Sequence, residues 1–217
     1  MKRAYIFANG KMDKPPSAVK DIQPTDLVIA ADGGTHHCHS LGIVPHAIIG
    51  DLDSLESTVV SEYISSGTEV IRFSTHKDET DLELALRFAV QRGVSHVDII
   101  GGMGDRWDMT IANVMLAASP EFSALSIRLL DGDDALIILR GPGKEEFVDQ
   151  NGNTLSLIPL GGDVTNVTTF GLEYPLQDET LFFGSPRGVS NVIRSETAWV
   201  CLSQGTLLCC LLNREEN

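Results

Sequence analysis

Short apolar runs separated by stretches of helical period mark the first half of the chain. RAYIFANG (3–10), DLVIAADGG (26–34), HAIIGD (46–51), TEVIRF (68–73) and HVDIIGG (96–102) each read as a strand. Their apolar character is continuous rather than alternating, as in strands covered on both faces. Between the last two, Leu82, Ala85, Leu86, Ala89 and Val90 recur at i, i+3, i+4, i+7 and i+8. One apolar stripe of that kind predicts a helix over 80–92. Thr80-Asp-Leu-Glu83 has the form of a capping box at its start, and Gly93 closes it. Further helices are expected over 55–66 and over 108–118, the latter stopped by Ser119-Pro120. Strand and helix alternating in this way predict an α/β fold, a mostly parallel, doubly wound sheet with helices on both faces.

Beyond about residue 125 the rhythm changes. SIRLLDGDDALIILRG, EEFVDQNGNTLSLIPLGG and GVSNVIRSETAWVCLSQGTLLCCLLN are β-type runs broken by Gly, Asn, Asp and Pro. Gln150-Asn-Gly152 and Gln204-Gly205 look like turns, and no helical stripe of useful length appears. Two domains are therefore expected: an α/β domain over 1–125 and an all-β sandwich over 126–217.

Charge narrows the function. Lys+Arg 16 against Asp+Glu 30 gives a net charge of −14, and the cations are scattered without a basic run. Such a field repels nucleic acid and anionic membranes, so neither is expected as a partner. A phosphate compound remains accessible if a divalent cation intervenes. Cys38, Cys201, Cys209 and Cys210 show no CxxC pair, and they read as small core residues in a reducing compartment. The apolar run at the start is too short for a signal peptide, and no stretch is long enough to span a bilayer. A cytoplasmic protein is expected.

In an open α/β sheet, ligands bind off the carboxyl ends of the strands. The residues that follow the predicted strands are Asn9 and Gly10; Asp32, Gly33 and Gly34; Asp51, Asp53 and Ser54; Lys77, Asp78, Thr80 and Asp81; and the loop Gly101–Asp108. Any one aspartate or serine here serves equally well as a turn or helix cap. Asp51/Asp53 and Asp78/Asp81, however, come in pairs, and carboxylates crowded at one sheet edge repel unless a cation sits among them. Oxygen ligands without matching His or Cys point to Mg²⁺ shared with phosphate. GGMGDRWD offers glycines whose amides can approach an anion, although Trp107 stands where a third glycine would complete a dinucleotide motif. Arg106 beside Asp108 is either a phosphate clamp or a surface ion pair. His36-His37-Cys38-His39 resembles a metal site only superficially, because only His36 and His39 share a helical face.

GDLDS (50–54), KDETDLELAL (77–86) and GGMGDRWDMTIAN (101–113), followed by SLIPLGG (156–162), TTFGLEYPL (168–176) and RGVSN (187–191), together resemble the thiamine pyrophosphokinase family along nearly the whole chain. That resemblance implies transfer of a diphosphate from ATP, with Mg²⁺, to the hydroxyethyl group of thiamine. It places the metal and catalytic carboxylates on Asp51, Asp53 and Asp81, with Arg106 and Asp108 beside them. Asp78, Thr80 and Asn113 fall on its ATP contacts, to which the strand-exit and glycine-loop reading adds Asp32, Gly33, Ser54, Lys77, Gly102 and Gly104. The thiamine contacts fall on Ser190 and Asn191, and on Tyr174 where relatives carry tryptophan. It further implies a homodimer whose sites are shared between subunits. Met109 stands where many relatives have histidine, and Asp105 where glycine is frequent, so no general base can be assigned on Met109. Two alternatives remain open: a pyrophosphokinase for another alcohol such as a hydroxymethylpterin, or a non-catalytic thiamine-diphosphate-binding protein.

Overall fold

The computed structural model describes residues 2–53, 55–104 and 106–214, so Ser54 and Asp105 lie outside the described residues. The chain forms two units, Met1–Gly132 and Asp133–Asn217.

In the first unit six strands pair in parallel: β1 (Arg3–Phe7), β2 (Leu27–Ala31), β3 (Ala47–Gly50), β4 (Glu69–Arg72), β5 (His96–Ile100) and β6 (Ser126–Asp131). Their spatial order is β4-β3-β2-β1-β5-β6. β1, β2 and β5 are buried along nearly their whole length, as continuous apolar runs require. β4 departs from that expectation. It is half exposed because it is the edge strand, with β3 on one side only. β6 departs too: residues 126–131 extend the parallel sheet from β5 rather than opening the all-β half. The strand–helix–strand rhythm thus runs one unit further than the apolar pattern suggested.

The helices are α1 (Gly34–Ser40), α2 (Ser57–Ser65), α3 (Asp81–Gln91) and α4 (Trp107–Ala118). At the start of α3, Thr80 Oγ1 accepts the Glu83 N–H at 3.2 Å, the N-cap half of the expected box. Glu83's own carboxylate is drawn off to Arg87, 2.7 Å away. Leu82, Ala85, Leu86 and Ala89 are buried, so the stripe packs as predicted; Val90 is 42% exposed and lies off it. α3 sits on β1, β2 and β3. α2 starts two residues later than expected, and its N-cap is Glu56 without a side-chain bond, so Asp53 does not cap it. α1 carries no apolar stripe in its sequence GTHHCHS and forms where Gly33-Gly34 turn the chain against β1.

The second unit consists of antiparallel pairs among β7 (Asp134–Arg140), β8 (Gly143–Val148), β9 (Thr154–Phe170), β10 (Glu179–Leu181), β11 (Asn191–Val192), β12 (Thr197–Leu202) and β13 (Gln204–Leu212). β9 is long enough to serve two ladders. Its first part pairs with β13, and Thr168–Phe170 pair with β12. The switch occurs past Gly161, where φ is +74°. Gln204-Gly205 is not a turn. The chain does not reverse there: β12 and β13 run on in one direction along β9, Cys201 opposite Thr168 and Gln204 opposite Thr165, with a bend at Ser203. The β13 register then shifts between Gln204 and Thr206, so Gly205 (φ +99°) occupies a bulge. Cys209 and Cys210 point to opposite faces of β13, and both are buried. Burial pushes the Cys210 thiol up to about 11 and Cys38 up to about 12, which makes both poor nucleophiles. Among the described residues no helix is long and apolar enough to cross a membrane.

Candidate active site

Strand order reverses at β1: the chain adds β2, β3 and β4 on one side, then β5 and β6 on the other. An open α/β sheet forms a crevice at the carboxyl ends of its strands at such a point. A cavity of about 460 Å³ lies there. Its wall includes Asn9, Gly10 and Lys11 from the β1 exit, and Asp32 from β2. Thr80 and Asp81 come from the start of α3, Gly101–Gly104 from the β5 exit, and Arg106, Met109, Thr110 and Asn113 from the start of α4.

The two loops interlock closely. Ala8 N donates to Ile100 O at 2.8 Å, and Gly10 N donates to Gly101 O at 2.7 Å. A Cβ on Gly10 would stand 2.3 Å from Gly101 O, and one on Gly101, whose φ is +68°, 2.5 Å from Ala8 O. Only glycine lets both backbones approach so nearly. Asn113 is buried on α4, and its Nδ2 donates to Gly102 O at 2.7 Å, so it props the glycine loop from beneath.

A cluster of carboxylates forms beside the cavity. Oxygens of Asp32, Asp51 and Asp53 all lie within 4.8 Å of one another. Parallel pairing of Ala31 with Ile49 sets the β2 and β3 exits side by side, and Asp32 N donates to Ile49 O at 2.8 Å. Asp32 holds a positive φ of 43°, with its carbonyl anchored by the Thr35 hydroxyl at 2.7 Å. Asp53 N donates to Asp51 Oδ1 at 3.1 Å, so Asp51 closes a short turn as well as facing its neighbours. The charge of Asp51 above all, with smaller contributions from Asp32 and Asp81, pushes the Asp53 carboxyl above the ordinary carboxylate range.

Asp81, expected as the third metal carboxylate, lines the cavity, with Oδ1 buried 2.8 Å from Lys77 Nζ. The contact is an ion pair whose angles make no hydrogen bond, so that oxygen keeps unused acceptor capacity. Asp78 is exposed and does not line the cavity. Gly33 is buried against the Asn9 side chain, which a Cβ would meet at 2.1 Å. Arg106 and Asp108 grip each other through two hydrogen bonds at the exposed start of α4. The guanidinium holds the Asp108 carboxyl well below its usual range. Of that pair only Arg106 lines the cavity.

The second unit has its own cavity of about 320 Å³, lined by Leu157, Tyr174, Arg187, Val189 and Asn191 among others. Asn191 is 8% exposed and its amide is heavily engaged. Oδ1 accepts from Tyr174 N at 3.0 Å and from Val192 N at 2.9 Å, and Nδ2 donates to Tyr174 O at 2.7 Å. Asn191 therefore clamps the Tyr174 backbone, leaving the exposed phenol ring at the cavity. Ser190 adopts φ +63°, donates its N–H to Ser156 Oγ at 2.9 Å, and is exposed outside the lining. The sequence patterns passed over Lys11, Thr110 and Arg187. Thr110 and Arg187 stood in quoted motifs; Lys11 carries no spacing signal.

Residues 20–129 match the family description "Thiamin pyrophosphokinase, catalytic domain", and residues 144–207 match "Thiamin pyrophosphokinase, vitamin B1 binding domain". The chain belongs to the thiamin pyrophosphokinase family. Thiamine pyrophosphokinase of Bacillus subtilis (strain 168) is 27% identical over 209 residues, covering 96% of this chain and 97% of that protein. Thiamine pyrophosphokinase 3 of Oryza sativa subsp. japonica is 30% identical over 73% of this chain and 62% of its own length. The crystal structure of the Bacillus subtilis thiamine pyrophosphokinase superposes with a TM-score of 0.86 at 25% identity, over 99% of this chain and 100% of that one. That of Geobacillus thermodenitrificans gives 0.84 at 25% identity, over 100% and 99%. The two family matches fall on the unit with the switch-point cavity and on the unit with the Tyr174–Asn191 cavity, in that order.

Proposed function

We propose that the protein is a thiamine diphosphokinase, moving the β,γ-diphosphate of ATP onto the hydroxyethyl oxygen of thiamine. A bond forms from that oxygen to the β-phosphorus as its proton passes to solvent, the bond from the β-phosphorus to the α–β bridging oxygen breaks, and that oxygen leaves with AMP, giving thiamine diphosphate. The observation that carries this is the family match across both units, catalytic then vitamin-binding, over a cavity at the strand reversal. The vitamin-binding match weighs against a pterin or other alcohol as acceptor, and the retained carboxylates weigh against a purely binding role.

The first unit, a doubly wound α/β domain, would hold ATP; the second, a β-sandwich, would hold thiamine. A divalent cation fits the first site on chemical grounds. Three hard oxygen donors converge, and their mutual repulsion, visible in the raised Asp53 carboxyl, is what a cation relieves. Asp32, Asp51 and Asp53 would hold Mg²⁺, and Asp81 would join if Lys77 moves to a phosphate. Bound there, Mg²⁺ would neutralise phosphate charge. Arg106 and the amides near Gly102–Gly104 stabilise charge on the transferred group, while Thr80 and Asn113 keep α3 and the glycine loop in place. Tyr174 offers a ring face to thiamine, with Ser190 beside it. Asp108, depressed by Arg106, is a weak base, so positioning and electrostatics carry most of the rate. A cytoplasmic homodimer with sites shared between subunits completes the proposal.

Incubation with thiamine, ATP and Mg²⁺ followed by nucleotide separation tests it. AMP formed in step with thiamine diphosphate is expected. ADP as product would end the diphosphate-transfer claim, and turnover independent of thiamine would end the acceptor claim.

A further inference from the structure

We propose that His37 is a positioning residue for the nucleotide cavity, fixing the β1 exit turn against the glycine loop through the carbonyl of Gly10. The inference rests on the cavity at the strand reversal being the nucleotide site. His37 lies on α1, half-buried, between exposed His36 and buried Cys38. Its Nε2 is 2.8 Å from Gly10 O. A carbonyl oxygen only accepts, so the imidazole donates and its proton sits on Nε2. Gly10 thereby has both polar backbone groups committed, N–H to Gly101 O at 2.7 Å and C=O to His37. A Cβ on Gly101 would also stand 3.3 Å from His37 Nε2, so the ring touches both loops where they meet.

Three chain segments converge on this point: the β1 exit, the helix that follows β2, and the β5 exit. Gly10, Gly101 and Gly102 line the cavity and have no side chains with which to lock their own turns. Glycine is the residue with most conformational freedom to lose on ordering. An imidazole reaching across from α1 removes that freedom from outside, without placing a side chain in the space a phosphate would occupy. The histidine run that imitates a metal site thus contributes one ring to the loop junction.

The test compares His37→Gln, whose amide nitrogen reaches about as far as Nε2, with His37→Asn, whose shorter amide falls short of Gly10. Both are polar substitutions at a half-exposed position. Binding of Mg²⁺ with α,β-methylene-ATP, in which the bridge to be broken is blocked, is measured by calorimetry, with thiamine titrated separately. For His37→Asn, nucleotide affinity falls roughly tenfold, the scale of one net hydrogen bond. Thiamine affinity stays within about twofold, and His37→Gln recovers nucleotide binding to within about threefold. Wild-type nucleotide affinity in His37→Asn would overturn the proposal. So would equal weakening toward both ligands, or a glutamine variant no better than asparagine. Failure of the unaltered protein to bind the analogue would instead remove the nucleotide assignment of the cavity, and this proposal with it.

Discussion

Asn191→Ala is the most informative single substitution, because that side chain lines the second cavity and also clamps the Tyr174 backbone. The truncation deletes three hydrogen bonds, two accepted by Oδ1 and one donated by Nδ2, and two of them secure the backbone of Tyr174. At about 1 kcal/mol net each, the loss is roughly 3 kcal/mol. Tyr174 itself is exposed, so water recovers part of this, leaving about 2 kcal/mol for ordering the segment. If that ordering is what presents the ring to thiamine, the KM for thiamine rises by a factor of about 30. The KM for ATP does not move, and the melting temperature falls by roughly 4–8 °C. Asn191→Asp separates the bonds further. It keeps an acceptor for both N–H groups but puts a second oxygen opposite Tyr174 O, where only a protonated carboxyl can donate. Its thiamine KM should therefore approach the wild-type value as the pH is lowered. Steady-state kinetics with each substrate varied, together with thermal melts, measures all of this. A thiamine KM within twofold of wild type in the alanine variant would refute the clamp.

Asp51→Asn keeps the acceptor for Asp53 N but removes the charge, so turnover should fall at least about a hundredfold while stability holds; a near-normal rate would reduce Asp51 to a turn residue. Asp98 is buried and gripped by Arg128 Nε and Nη2 at 2.7 and 2.8 Å, so Asp98→Ala should cost about 3 kcal/mol in chemical denaturation, with no change in the KM of surviving native protein. Arg87 joins Glu79, Glu83 and Glu121, and it holds the Glu121 carboxyl below its ordinary value. A depressed carboxyl adds stability above its unfolded value and loses it as pH falls through the folded one. The gap in melting temperature between wild type and Arg87→Met should accordingly be full at neutral pH and close in acid, below the ordinary glutamate range. A gap that persists there would assign the effect to packing.

Local chemistry was readable in the sequence, and long-range pairing was not. The Thr80 cap and the buried stripe of α3 follow from spacing alone, because every partner lies within one or two turns. Asp51 and Asp53 were marked as a pair by their alternation, and they do face each other. Their companion Asp32 was marked as a strand-exit residue and ATP contact, not as a metal ligand. It joins them because β2 pairs with β3 in a register that spacing does not encode. Asp81 was marked with them by its motif, and Lys77, four residues earlier, pairs with it at 2.8 Å. α1 escaped notice because a seven-residue helix with histidines on several sides shows no amphipathic period. Asn191 was marked only through its motif; that it clamps a backbone depends on its meeting Tyr174 across a loop.

The net charge of −14 makes nucleotide binding a local problem with a measurable signature. The long-range field repels a polyphosphate, and three of the nearest side chains are carboxylates. The acid cluster sits at the exits of β2 and β3, and the glycine loop at the exit of β5, with β1 between them. At about 4.8 Å per strand step, the two stations are roughly 10–14 Å apart along the sheet edge. Attraction at the first requires a cation; attraction at the second comes from backbone amides and Arg106, which no salt of moderate concentration screens completely at contact distance. Without a divalent cation, raising ionic strength from about 0.01 to 0.15 M shortens the screening length from about 30 to 8 Å and weakens the repulsion, so ATP affinity should rise with salt. With saturating Mg²⁺ the carboxylates are neutralised locally, and the dependence should flatten or reverse. Calorimetric titrations at both salt levels, with EDTA and with Mg²⁺, read the sign directly. ATP affinity that falls steeply with salt in EDTA would mean that a cationic surface dominates binding, and the carboxylate cluster would lose its place in the site.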